Sequence, residues 1–324
     1  MDDAPVLCKS GGMKSASHKP IATALPAPAW FVVSALFHYL GPAFAVLLFA
    51  RVAPLGVAWL RIATSALLLA AWRRPWRHLP QQDMRTRRTI AALGLAIGGM
   101  NACFYLAIDR LPLATVGAIE FVGPIALAAA GLRSTRNRGA LGLAAAGVVL
   151  LTRAHLVGSP LGLFFAFANA ALFTLYIVLG HRLATVRHDG SEPVDRLAAA
   201  MMVAVLPATL LGFLPALPAM ASPALLAAGA GVGVCSSVIP YVCDQFAMAR
   251  LPRASFALLL SMLPAIACLV GALVLRQFPG PREALGIGLV AAAVALHRPG
   301  TAEPSPHHPR EVPPWNTSDS EPPA

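Results

Sequence analysis

Three ionisable residues stand where a hydrocarbon environment would make them expensive. Arg61, Glu120 and Asp244 each interrupt a run of apolar side chains. A charge at the centre of a bilayer costs about 2.5–3.5 kcal/mol on insertion scales, so such a residue marks a functional position by default. Unpartnered, it would neutralise itself. Counted from the same side, Arg61 lies about seven residues into its run and Glu120 about eight, roughly 10–12 Å deep at 1.5 Å per residue. The two could therefore share one depth and pair. Two readings follow: a neutral pair that fixes helix packing, or a pair that acts directly on a charged solute. Asp244 lies six residues before Arg250, in the opposite half of the layer. It is either a helix-end carboxylate neutralised by Arg250 or Arg253, or a separate proton or amine site.

Prolines fall beside these groups. A proline has no N–H for the carbonyl four residues earlier. Pro124 thus frees the carbonyl of Glu120, Pro264 that of Leu260, and Pro240 that of Ser236, next to Ser237 and one turn before Asp244. Freed carbonyls either find serine hydroxyls and neighbouring helices or line a polar cavity. Gly94, Gly98, Asn101 and Tyr105 share one helical face, where the glycines permit close packing and the two polar side chains offer hydrogen bonds. Asn169 is a further polar residue in an apolar run.

The elements that must hold these residues follow from composition. Of 324 residues, 57% are hydrophobic and 12% charged, with a mean hydropathy of +0.67. A soluble domain carries about 25% charged residues. A water-soluble fold is excluded, and the expected class is an all-α polytopic membrane protein. Ten apolar spans are expected near residues 30–50, 55–72, 89–108, 112–132, 139–152, 160–181, 197–217, 223–248, 254–275 and 284–297. Unbroken apolar runs of about 20 residues suit helices rather than barrel strands. Spans five and ten are expected to be short.

With both termini cytoplasmic, 19 of the 25 Lys and Arg residues fall on the cytoplasmic side and five on the other, with Arg61 inside a span. That asymmetry is the positive-inside signature and favours an even number of spans. It also accounts for the net charge of +11, leaving nucleic acid an unneeded partner.

The chain repeats itself. Shifted by 140 positions, Tyr105 to Gly131 superimposes on Gln245 to Gly271, so that Ala107, Arg110, Leu111, Pro112, Ala114, Pro124 and Gly131 recur as Ala247, Arg250, Leu251, Pro252, Ala254, Pro264 and Gly271. The same shift relates Asn101 to Tyr241 and Tyr105 to Gln245. Five helices is an odd number, so a second copy enters the membrane upside down. The expected organisation is a polar basic segment (1–28), two inverted five-helix repeats (29–153 and 154–298) and a Pro-rich disordered cytoplasmic tail (299–324). Inverted repeats place a substrate site near the midplane.

The blocks GGMNACFYLAIDRLPLATVGAIEFVGP (98–124), SSVIPYVCDQFAMARLP (236–252) and SFALLLSMLPA (255–265) resemble the EamA-type transporters of the drug/metabolite transporter superfamily, and within them the threonine/homoserine exporters. The resemblance spans residues 30 to 297. It implies a multi-pass carrier of the plasma (inner) membrane that exports small metabolites, amino acids above all, with proton coupling. It also carries a departure: where those exporters have acidic residues before the second-half proline and near the end of span nine, this chain has Leu263 and Gln277.

The expected partners are thus a small-molecule substrate, protons and the lipid bilayer. Glu120, Asp244, Arg61, Asn101, Tyr105, Tyr241 and Gln245 are the candidate pathway, with Pro124, Pro240 and Pro264 as cavity-lining breaks. No cofactor is expected. Cys8, Cys103, Cys235, Cys243 and Cys268 lack metal-ligand spacing, and the chain contains no GxxxxGK[ST] phosphate loop. A His78-x4-Asp83 pair sits in a basic loop without supporting motifs. A membrane-embedded enzyme acting on lipid or prenyl substrates, the rival reading, would need an acidic metal cluster or a working His/Asp motif. Export of drugs or other metabolites is the other alternative.

Overall fold

The computed structural model describes residues 27–123, 135–155, 159–186, 192–250 and 263–296. Among them the regular structure is helical. In chain order the helices are α1 (Ala27–Leu48), α2 (Pro54–Arg73), α3 (Met84–Ile108), α4 (Leu113–Glu120), α5 (Thr135–His155), α6 (Pro160–Ala184) and α7 (Pro193–Met220). Then follow α8 (Pro223–Gly233), a π-helical turn (Val234–Val238), α9 (Ile239–Arg250), α10 (Leu263–Leu275) and α11 (Pro281–Leu296). Two 3₁₀ turns, Pro75–Arg77 and Leu79–Gln81, join α2 to α3.

Six of these segments are long and apolar enough to cross a membrane: Ala29–Leu48, Pro54–Arg73, Met84–Ile108, Pro160–Ala184, Pro193–Met220 and Pro223–Ala247. Arg138–Leu151 and Ile266–Leu275 are shorter apolar helices. The chain is a polytopic membrane protein. Its outer surface agrees: Leu206, Leu210 and Leu214, one turn apart on α7, are exposed, Leu210 to 86%. A stripe of bare leucines on a helix suits lipid as its solvent.

Local sequence sets the helix ends. Five helices begin at a proline, namely Pro54, Pro160, Pro193, Pro223 and Pro281, where the missing N–H would have had no intrahelical acceptor. Asp83 caps α3 by accepting the Thr86 amide at 3.1 Å. That capping role is the structural use of the acid in the His78-x4-Asp83 pair. Glu192 and Asp195 form a reciprocal capping box at the start of α7.

The apolar part of span five, Arg138–Leu151, is short as expected, and it lies within a helix that runs 21 residues, from Thr135 to His155. The last helix has 16 residues, so the two are not equally short. Span four is described only to Gly123, and Pro124 lies outside the described residues.

The packing partners recur at an offset of five spans. α3 lies against α6 and α7, as the α8–α9 segment lies against α2 and α1; α4 lies against α6, as α10 lies against α1. α2 faces α7, α4 faces α10 and α5 faces α11. Small residues allow these crossings: Gly56 abuts the backbone of Pro215, Gly212 that of Leu55, and Gly98 packs on Ala204 and Pro207. Gly94 likewise sits on the backbone of Ala200, so the α3 glycines serve close approach.

Candidate functional site

The π turn explains the position of Arg61. Pro240 cannot donate to the Ser236 carbonyl, and the backbone widens so that the Ile239 N–H reaches Val234 instead. The Ser236 carbonyl is left to a side chain, and Arg61 supplies it through Nη2 at 2.5 Å, while its Nε donates to the Ser237 hydroxyl at 2.7 Å. Ser65, one turn along α2, donates to the Gly233 carbonyl at 3.0 Å. The guanidinium also lies near the rings of Tyr105 and Tyr241, 5.6 and 5.9 Å from their centroids. Arg61 is only 3% exposed. It braces a broken helix, a role that neither sequence reading gave it.

Glu120, 2% exposed, is held by two other helices. Asn169 of α6 donates its Nδ2 to Oε1 at 3.0 Å, and Tyr39 of α1 donates its hydroxyl to Oε2 at 3.4 Å. The Nε2 of His38 lies 4.0 Å from Oε2. The anticipated direct pairing of Glu120 with Arg61 is not formed: depth along two helices matched, but Arg61 is turned toward the π turn. The two side chains instead border one small cavity, together with His38, Pro42, Asn101 and Tyr241 among others. Pro42, inside α1, removes the amide partner of the His38 carbonyl. The Oδ1 of Asn169 is buried and has no hydrogen-bond partner among the described residues.

Asn101 and Tyr241, related by the 140-residue shift, meet directly. The Asn101 Nδ2 donates to the Tyr241 hydroxyl at 3.2 Å and to the Ile97 carbonyl at 2.8 Å. The residues one turn after them behave differently. Tyr105 stacks near Arg61 and Phe49 with its hydroxyl unpartnered among the described residues. Gln245 is buried with an unpartnered Nε2, and neither side chain borders the cavity.

Asp244, 8% exposed, is not the helix-end partner of Arg250. Its Oδ1 meets the Ser34 hydroxyl at 2.5 Å, and its Oδ2 accepts from Tyr176 at 3.3 Å. Arg253 lies outside the described residues. Pro264 falls in the first turn of α10, while Leu260, whose carbonyl it would free, is likewise outside them. Ser34, His38, Tyr39 and Tyr176 were not anticipated. One sequence signal could have found His38 alone: the proline four residues after it in an apolar run. Among the described residues there is no cluster of His, Cys, Asp or Glu suited to a metal.

At the end of the bundle that carries Arg73, the basic residues are engaged too. Arg73 bridges α2 to α7 through Asp195 at 2.7 Å and Glu192 at 2.8 Å. Arg196 donates to the carbonyls of Leu183 and Val186 at the end of α6. Trp59 donates to Thr209 at 2.9 Å and ties α2 to α7.

Residues 160–297 match the model of the EamA-like transporter family. The threonine/homoserine exporter RhtA of Escherichia coli (strain K12) is 30% identical over 260 residues, covering 78% of this chain and 84% of that protein. RhtA of Salmonella typhimurium (strain LT2) is 31% identical over the same shares. One solved crystal structure superimposes with a TM-score of 0.57 over 84% of this chain and 97% of its own, at 18% identity, a likeness of fold.

Proposed function

We propose, from the premise that this chain belongs to the EamA-like transporter family, that it is a proton-coupled secondary exporter of small amino acids of the threonine and homoserine kind. Family membership assigns it to transporters rather than to membrane-embedded enzymes. The substrate class is carried by one observation. The cavity presents a carboxylate, Glu120, and an unpartnered amide oxygen, Asn169 Oδ1, at one side and a guanidinium, Arg61, on another helix. An α-ammonium group has three N–H donors and needs acceptors of that sort. A carboxylate beside it is met by Arg61, with Asn101 and Tyr241 between. The curated relatives are named for export of threonine and homoserine, both zwitterions that this charge pattern fits.

In the proposed cycle the Glu120 carboxyl exchanges a proton for the substrate ammonium, since an anion between apolar walls needs one or the other beside it. The cavity then opens alternately to the two faces. We assign the ten helical segments to two inverted five-helix repeats in the inner membrane, with both termini cytoplasmic. The repeated Arg-Leu-Pro sequence, the recurring packing partners and the Asn101–Tyr241 contact support this arrangement, and the distribution of Lys and Arg supports its orientation. In this orientation Glu120 belongs to the outer half and Asp244 to the inner.

The test is efflux from cells loaded with labelled threonine or homoserine. Wild type is expected to empty the cells faster than a vector control, and Glu120→Gln, at equal membrane abundance, is expected to match the control. Export by Glu120→Gln at the wild-type rate would overturn the role of this carboxylate.

A further inference from the structure

We infer that Asp244 binds a proton at a site of its own, separate from the Glu120 cavity, and that Ser34 is the residue that positions it. This rests on the reading of the chain as proton-coupled and divides that role between two carboxyl groups.

Hydrogens are scarce around this carboxyl. The Ser34 hydroxyl has one, yet its oxygen lies within hydrogen-bond reach of two acceptors, Asp244 Oδ1 and the Pro240 carbonyl at 3.1 Å. Tyr176 supplies one more, to Oδ2. If Asp244 were an anion, it would rest on the Tyr176 hydrogen and on a Ser34 hydrogen shared with a carbonyl. No cation pairs with it among the described residues. That is a costly state inside a bilayer. A proton on Oδ1 removes the conflict: Asp244 donates to Ser34 Oγ, Ser34 donates to the Pro240 carbonyl, and Tyr176 donates to Oδ2. Every polar atom of the cluster is then satisfied.

The surroundings are compatible with that state from each neighbouring helix. α6 contributes the Tyr176 phenol, and α1 contributes Ser34, with His38 one turn further along. On α9 itself Tyr241 and Cys243 flank the carboxyl, and Arg250 lies six residues on. The charged residues at the start of α7 are engaged elsewhere, Asp195 with Arg73 and Arg196 with carbonyls of the α6 end. Arg61 directs its Nε and Nη2 to Ser237, Ser236 and Tyr241. The site is also connected to the cavity mechanically, because the same two helices hold both carboxyl groups: Ser34 and Tyr39 come from α1, Tyr176 and Asn169 from α6. A movement of α1 against α6 that disturbs one carboxyl disturbs the other.

Infrared spectroscopy of the purified full-length protein in lipid tests this without any substrate. At neutral pH a carboxylic-acid C=O band is expected that Asp244→Asn removes and Glu120→Gln leaves in place. Ser34→Ala is expected to shift the band and the pH at which it disappears, and Ser34→Thr to restore both. An unchanged spectrum in Asp244→Asn, or a band indifferent to Ser34→Ala, would overturn the assignment. Should Asp244→Asn fail to fold, the Ser34 pair decides alone. Because no transported solute is involved, a wild type that fails to export threonine would defeat the functional proposal and leave this result standing or falling separately.

Discussion

Glu120 and Asp244 are two buried carboxyl groups clasped by the same pair of helices, and their partners differ in kind. Around Glu120 stand donors whose hydrogens go to no other acceptor among the described residues, the Asn169 amide nitrogen and the Tyr39 phenol, with the His38 ring close by. Such a shell tolerates an anion, and the idle Asn169 oxygen adds room for an incoming N–H. Around Asp244 the chain of oxygens includes a backbone carbonyl that takes a hydrogen away. That shell wants an acid. Burial alone therefore does not assign a carboxyl its task; the balance of donors and acceptors in contact with it does.

Substitutions at and around the two carboxyl groups are expected to differ in size of effect. The largest effect is expected from Glu120→Gln, which should reduce efflux of labelled threonine by about tenfold or more, equivalent to at least 1.4 kcal/mol. If Asp244→Asn instead produced that loss in substrate exchange across membranes held at equal pH, with Glu120→Gln unaffected, the two roles would be reversed. Next comes Arg61→Met, which strands the Ser236 carbonyl. An unsatisfied buried carbonyl costs about 1–3 kcal/mol, and thermal unfolding in detergent should show the loss, with Arg61→Lys intermediate. A smaller change is expected from Tyr39→Phe. Removing one long hydrogen bond to Glu120 costs on the order of 0.5–1.5 kcal/mol, so the unfolding temperature should fall by less than in Arg61→Met.

The smallest effect belongs to a carboxyl outside the membrane, which serves as the control. The amide and hydroxyl of Thr86 hold the Asp83 carboxyl below its ordinary range. Its folded value lies below its unfolded one, so its contribution to helix stability is present above the unfolded value and is lost as pH falls through the folded one. Acidification should therefore speed hydrogen exchange at the first turn of α3, and Asp83→Ala should do the same at neutral pH without altering efflux.

How much of this was legible beforehand depends on what each residue is. Arg61, Glu120 and Asp244 stood out because charge is scarce in the apolar runs, and scarcity needs no structure to be seen. Their partners were not legible. Rise per residue places a side chain at a depth, but its azimuth depends on which helices surround it, and Arg61 faces Pro240's turn rather than Glu120. Ser34, Tyr39 and Tyr176 are residue types at home in any membrane helix, so nothing in their spacing distinguished them. His38 carried a trace, the following Pro42. Repetition was the most informative pattern: the 140-residue shift paired Asn101 with Tyr241, and those side chains touch. It was least informative at the last expected span of each half, where α5 has 21 residues and α11 has 16.

The widened turn at Val234–Val238 has a consequence for the phase of everything after it. A π turn accommodates one residue more than an α turn, and one residue corresponds to about 100° of rotation at 3.6 residues per turn. Tyr241 and Asp244 therefore point about a quarter-turn away from where an unbroken helix begun at Pro223 would aim them. Length and hydropathy would survive the deletion of a single residue within 234–238, yet both side chains would swing off their present bearings. The extra residue acts as a fixed angular offset, and it sets which face of the helix meets Ser34 and Asn101.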